Sequence, residues 1–418
     1  MNFSQMITPT RSLYVMLIAI FCLQSCDNEP VEALVNEPTV LFTCENGLAD
    51  IYPCNGYDLM AHLPLSVFNA TSGNDSWGWT DPASSKEYAI MGLDNGTAFV
   101  DITNPMESIY LGKLPTNSVS TSWRDIKVYN NHAFIVADNA GTHGMQVFNL
   151  TRLRSVKNAP ETFTADATFT NVGSCHNIVI NENESIAYLV GCDSYDGGVV
   201  FIDISNPTNP VELGGYADLG YTHDAQVVTY NGPDPDYIGR DLFFGSNGNY
   251  LGSNTVVILD VSDKSNVQFI SQVSYPNPGY AHQGWFTDDM SYFIFGDELD
   301  EQIFGNNTAT FVFDFRDLDA PVLSSTYYGP TSAIDHNGYV KGNSFFLSNY
   351  NAGLRVLDIT NIGAASNAMT EVGFFDTYPE NNNTGYQGVW SVYPFFNSGN
   401  IVISDIDRGL FVVKKSDL

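Results

Sequence analysis

The chain has 418 residues, 44% of them hydrophobic and 13% aromatic, with 35 Gly and 19 Pro spread along it as turn punctuation. So many aromatic residues favour strands over helices. Its 47 acidic and 16 basic residues give a formal charge of −31. Such a surface repels phosphate backbones and excludes nucleic acid as a partner. It also lacks the polybasic patch that holds proteins on anionic lipid. The charge serves solubility in a salty exterior, or attracts cations.

At the N-terminus, Arg11 precedes an apolar run at 13–23 that is too short to span a bilayer comfortably. With the residues up to Ser25 it forms the pattern of a secretory signal peptide over 1–25. Leu23-Gln24-Ser25-Cys26 resembles the lipobox of bacterial lipoproteins. There the Cys thiol receives a diacylglycerol, the chain is cut before it, and the new amine is acylated. The resemblance implies lipidation at Cys26 and a membrane anchor, since several acyl chains hold stably. An ordinary signal peptide with an incidental Cys is the alternative. Residues 26–43 read as a flexible polar tether. The acidic residues after Cys26 resemble surface-export signals of some Gram-negative lipoproteins, implying the outer membrane or cell surface.

Export to an oxidising compartment makes the remaining cysteines disulfide candidates. Cys44 and Cys54 fall in a segment at 44–59, and Cys175 and Cys192 lie further on. Of the three possible connectivities, local spacing favours Cys44–Cys54 and Cys175–Cys192.

From residue 60 to 418 one unit recurs about every fifty residues, seven times. A polar-aromatic strand is followed by an apolar strand ending in Asp or Asn, such as Tyr88-Ala-Ile-Met-Gly-Leu-Asp94 or Tyr292-Phe-Ile-Phe-Gly-Asp297. A Gly-rich turn leads to a third strand such as Val200-Phe-Ile-Asp203 or Val257-Ile-Leu-Asp260, and a last strand follows. Apolar runs this short, bounded by turn residues, are buried strands. The Asp or Asn ending most third strands reads as turn chemistry. Four-stranded units repeated seven times predict an all-β, seven-bladed β-propeller. The last unit lacks an outer strand. The segment 60–67 resembles the outer strand at 110–115 and is expected to complete the last blade and close the ring.

Trp77-Gly-Trp-Thr-Asp81, Gly96-Thr-Ala-Phe-Val-Asp-Ile102, Trp123-Arg-Asp-Ile126 and Leu150-Thr-Arg-Leu-Arg154 resemble the choice-of-anchor B family, whose members carry LVIVD-type propeller repeats. The resemblance runs from about Cys44 to the C-terminus. It implies a cell-surface or envelope protein and brings no catalytic residue set with it.

Each first strand opens on a polar group: Ser76-Trp77, Arg124-Asp125, His176-Asn177, His223-Asp224, His282-Gln283, His336-Asn337 and Tyr386-Gln387. Four of the seven His share this register. First strands of a propeller are innermost, so His176, His223, His282 and His336 are expected around one channel mouth. Arg124, Asp125 and Asp224 belong to the same ring. Antiparallel pairing adds the ends of the second strands, giving the expected pairs His176 with Asp193, His282 with Asp297, His336 with Asn349 and Arg124 with Asp138. Neutral imidazole and carboxylate suit a divalent transition metal; His–Asp pairs that merely satisfy buried polar groups are the structural alternative. A second cation candidate is the acidic stretch Asp297, Glu298, Asp300 and Glu301, read as a hairpin tip able to hold calcium or simply solvated.

No phosphate loop, nucleophile elbow or metalloprotease helix is present. The expected function is a lipid-anchored binding module for an extracellular protein or glycan, as a monomer. A metal-dependent hydrolase or lyase working through the His ring is the alternative.

Overall fold

The computed structural model describes residues 41–249 and 252–417. The signal peptide, Cys26 and most of the expected tether lie outside the described residues.

Seven antiparallel sheets are formed, each with four core strands. Blade 1 holds Gly73–Thr80, Glu87–Leu93, Gly96–Asp101 and Ile109–Pro115, and blade 2 holds Arg124–Tyr129, His132–Ala137, Met145–Asn149 and Ala167–Phe169. The first strands of blades 3 to 7 are Asn177–Asn181, Asp224–Thr229, Ala281–Phe286, Gly338–Lys341 and Val389–Tyr393. Each first strand contacts that of the next blade, and that of blade 7 contacts that of blade 1. The inner strands therefore enclose a channel, and the protein is a seven-bladed β-propeller.

The fold follows from the repeat chemistry. The second and third strands are apolar on both faces because each blade is packed between two others; Ile90, Phe134, Leu189, Phe244 and Phe295 are all fully buried. Between blades 4 and 5 the rings of Phe244, Phe286, Phe293 and Phe315 meet at centroid distances of 4.6–6.0 Å. The Asp or Asn closing the third strand caps the following turn: Asp101, Asn149, Asp203, Asp260, Asp314 and Asp358 each accept from the backbone N–H two residues on. This is the structural role expected from the sequence.

The ring closes as expected, with an adjusted boundary. Tyr57–Leu63 pairs antiparallel with Gly409–Lys415 and forms the outer strand of blade 7, while Leu65–Phe68 turns as a 3₁₀ helix. The cysteine segment is part of the ring and not a separate preface. Leu48–Ala49 and Tyr52–Asn55 form a hairpin that extends the outer edge of blade 6. Blade 1 gains Glu161–Thr162 in parallel. Covering an outer strand in this way removes an edge that could pair with another chain.

Both favoured disulfides are formed, Cys44–Cys54 and Cys175–Cys192. Such bonds persist in an oxidising, extracytoplasmic compartment. No helix among the described residues is long and apolar enough to cross a membrane.

Candidate functional site

The channel is lined in layers that repeat three residues apart along the inner strands. The upper layer contains His176, His223, His282, His336 and Trp390. Adjacent imidazoles touch: ring centroids are 4.2 Å apart for His176–His223 and His223–His282, and 4.3 Å for His282–His336. The four His thus form one continuous arc across blades 3 to 6, facing a pocket of about 300 Å³.

Several devices hold the arc in place. Nδ1 of His223 donates to the main-chain carbonyl of His282 at 3.0 Å, and Nδ1 of His336 to that of Trp390 at 2.5 Å. Nδ1 of His176 meets the carboxylate of Asp138 at 2.9 Å. A carbonyl or carboxylate only accepts, so each of these Nδ1 atoms carries a proton, and the neutral rings of His223 and His336 keep the Nε2 lone pair. His282 sits in a β-bulge between Ala281 and Gln283, which re-aims its side chain. The Cys175–Cys192 bond flanks His176, and Gly191 lies beside it at φ +61°. A Cβ on Gly191 would come within 2.6 Å of the His176 Cβ, so only glycine fits there.

Glu298 completes the cluster. Its carboxylate lies 3.7 Å from Nε2 of His282 and 3.9 Å from Nε2 of His336, and it accepts from the Tyr350 hydroxyl at 2.8 Å. One donor atom each from His223, His282 and Glu298 fall within 4.8 Å of one another. Burial pushes the imidazoles of His223 and His282 well below their ordinary range and His336 down to about 3, so all three are neutral. Burial raises the carboxyl of Glu298.

The expected pairs differ from those formed. His176 is partnered by Asp138 of the preceding blade, while Asp193 is exposed and accepts from the Gly173 N–H. Asp297 does not face His282. It is fully buried and accepts from the Tyr275 hydroxyl and the N–H groups of Gly279, Tyr280, Leu299 and Asp300. It organises the two loops that carry Tyr280 and Glu298 to the mouth. Asn349 lies by Thr308 and away from His336, and Arg124 contacts Nε2 of His143 at 3.0 Å and not Asp138. The expectation assumed flat pairing of neighbouring strands. The propeller twist instead brings residues of successive blades together.

The register also shifts in two blades. The equivalents of His336-Asn337 are Asn74-Asp75 in blade 1 and Trp390-Ser391 in blade 7, in place of Ser76-Trp77 and Tyr386-Gln387. The cross-blade bonds mark it: Asp75 accepts from the Ile126 N–H as Asp125 does from Ile178. Bulges between Gly73 and Ser76, and between Val389 and Ser391, hide it in the sequence. Asp125 and Asp224 fall one step deeper than the His arc. There Lys127 donates to Asp125 at 2.7 Å and lies 3.8 Å from Asp75.

The acidic stretch is no solvated hairpin tip. Asp300 and Glu301 open a short helix, Asp300–Phe304, and are 2% and 1% exposed. Burial pushes their carboxyls up to about 7 and about 12. Among the described residues, no three of Asp297, Glu298, Asp300 and Glu301 converge on one point. The role of Glu298 at the mouth was not legible from its place in that stretch; its only signal is adjacency to the end of the second strand of blade 5.

Comparison with known proteins supports the architecture. The LVIVD repeat model matches residues 193–218 and 247–274, which span the third and outer strands of blades 3 and 4. Among solved structures, the fold is similar to Kuenenia stuttgartiensis hydrazine synthase, with a TM-score of 0.55 at 10% identity over 79% of this chain and 92% of that one. It is also similar to a functionally unknown protein from Desulfotomaculum acetoxidans, with a TM-score of 0.52 at 14% identity over 75% of this chain and 87% of that one. At such identity the likeness speaks for fold alone. No curated protein matches the chain by sequence. The chain is a seven-bladed β-propeller carrying LVIVD repeats.

Proposed function

We propose that this protein is a lipid-anchored envelope propeller that works as a binding module, with the His-lined mouth as its site and a divalent transition metal as its point of attachment. The observation that carries the reading is the set of Nε2 lone pairs. The fold uses Nδ1 of His223 and His336 for backbone bonds, and Nε2 of His282 and of His336 lie 3.7 and 3.9 Å from the Glu298 carboxylate. Metal-binding imidazoles characteristically donate Nδ1–H to a carbonyl or carboxylate, which orients the ring and raises its basicity. Two neutral imidazoles and a carboxylate suit zinc, cobalt, nickel, manganese or iron(II), and are too nitrogen-rich for calcium.

His223, His282 and Glu298 would ligate the ion, with His336 at hand as a further donor. Coordination positions left open would face the pocket, where an oxygen-bearing group of an extracellular protein or glycan could complete the shell. The lipobox at 23–26 supports attachment of the whole propeller to a membrane.

The test is cobalt titration of the full chain after chelation, followed by visible absorption and elemental analysis. One equivalent with a d–d spectrum is expected, lost in His282→Ala and in Glu298→Gln. No stoichiometric binding, or binding indifferent to both substitutions, would refute the reading.

A further inference from the structure

Three residues along the same inner strands from the His arc, the channel has a chemically different lining. There the positions equivalent to one another are occupied by Trp77, Lys127, Val179, Gln226, Trp285, Tyr339 and Tyr393. All of these but Tyr339, together with Phe395 just beyond the blade 7 strand, line a pocket of about 340 Å³, distinct from the His-lined one, and Tyr339 packs behind its rings. This volume is at the lower end of small-molecule sites, about 300–1,000 Å³.

The aromatic rings are held rigidly and are only partly covered. Tyr339 is buried between the two indoles and meets both edge-on, at 5.8 Å and 75° to Trp77 and at 5.0 Å and 72° to Trp285. Phe395 contacts both indoles from a second side, at 6.2 and 6.5 Å. Both indoles are packed on two sides, yet Trp77, Trp285, Tyr393 and Phe395 all keep surface open to the pocket.

Polar groups also line the pocket, and several have no partner among the described residues. Oε1 of Gln226 accepts from the Phe286 N–H at 2.8 Å, which fixes the amide and leaves its NH₂ with no acceptor among the described residues. The indole N–H groups of Trp77 and Trp285 likewise have no acceptor there, in contrast to Trp79, which donates to Asn131. Glu182 contributes a carboxylate at the rim.

We propose that this aromatic mouth is a saccharide-binding site, taking the terminal one or two sugar rings of an extracellular glycan. A pyranose has an apolar C–H face that lies on an indole and a belt of hydroxyls that need donors and acceptors at its edge. The pocket offers flat rings, three unpaired donors of the N–H type and one carboxylate. Pre-set rings also lower the entropy lost on binding.

An organic cation is the main rival for an aromatic cage. The site is already supplied with one: the Lys127 ammonium stands 4.7 Å from the Trp77 ring centroid, held by Asp125. A second cation would have to displace Lys127 from the Trp77 face, whereas a neutral sugar needs only the ring surface left open. The proposal is independent of the metal site, which uses the other layer of the channel.

The test is saturation-transfer NMR on the full chain in a polyoxyethylene detergent, which carries neither sugar nor ammonium headgroups. The probes are the methyl glycosides of glucose, mannose and galactose, N-acetylglucosamine, and tetramethylammonium. At least one sugar should receive saturation from aromatic protons, with a Kd of about 1 mM or tighter. Gln226→Glu keeps the acceptor for the Phe286 N–H and deletes the NH₂ donor; it should weaken binding at least tenfold. Trp285→Ala should do the same, and Trp285→Phe, which keeps a ring to pack on Tyr339 and removes the indole N–H, should weaken it several-fold. Cobalt binding at the His mouth should be unchanged in all three, which separates failure here from failure there. Absence of transfer to every sugar, sugar binding that survives Gln226→Glu and Trp285→Phe unaltered, or tetramethylammonium binding in place of sugar would overturn the proposal.

Discussion

The carboxylate of Glu298 accepts a hydrogen bond from the Tyr350 hydroxyl at 2.8 Å, and the two residues come from different blades. Tyr350 follows the second strand of blade 6, and its ring also packs against His336 at 4.6 Å. One buried tyrosine thus orients two groups of the mouth at once. Such outer partners set metal affinity almost as strongly as the ligands do, because they fix ligand direction before the ion arrives.

Tyr350→Phe deletes only that hydroxyl. Cobalt or zinc affinity is expected to fall by about 10–100-fold, the usual effect of removing an outer-shell partner. The cost in stability should be only about 1 kcal/mol, for one hydrogen bond lost. Competition titration against a chromophoric chelator, alongside thermal melting, separates the two. Unaltered affinity would detach Tyr350 from the site.

The proposed anchoring rests on Cys26, at the end of Leu23-Gln24-Ser25-Cys26. Cys26→Ser should abolish labelling by a fatty-acid analogue and move the protein from the membrane to the soluble fraction. A mutant that stays with the membrane would refute the lipobox reading.

The Cys175–Cys192 bond closes a loop with a sequence separation of 17 and flanks the His arc. Replacing both cysteines with Ala should cost on the order of 3 kcal/mol in the chain-entropy model. Because the bond steadies the entry to the strand after His176, cobalt affinity should fall as well. Denaturant melts and the cobalt spectrum of the double variant provide the check; full affinity in a destabilised protein would confine the bond to stability.

His143 gives a test of pH linkage away from the proposed ligands. It is fully buried, with Nδ1 facing the Gly144 carbonyl at 2.8 Å and Nε2 facing Arg124. Burial, and then repulsion from Arg124, lowers its imidazole to about 4. The folded value lies below the unfolded value of about 6.5, so its contribution is complete above that pH. It is lost as pH falls from about 6.5 to about 4, by roughly 3 kcal/mol in all. His143→Gln can still accept from Arg124 and does not titrate. The stability advantage of wild type over this variant should therefore shrink across that window. A difference that is flat with pH would show that folding does not lower the His143 imidazole.

Much of this protein was decided locally and could be read in order along the chain. The propeller, its seven units and its closing strand follow from short apolar runs and from turn caps such as Asp203 and Asp260, whose partners lie two residues away. Both disulfides join near neighbours in sequence, and the shared register of His176, His223, His282 and His336 announced one mouth. What the tertiary structure decided is which groups stand beside them. Asp138 meets His176 across 38 residues, and Tyr350 meets Glu298 across 52. These pairs depend on the twist between blades and on single-residue bulges at Asn74-Asp75, His282 and Trp390. A bulge leaves hydrophobic alternation almost unchanged while moving a side chain from one face to the other. For the same reason Asp297, which looked like a ligand, is a buried loop organiser, and its neighbour Glu298 is the carboxylate that reaches the channel.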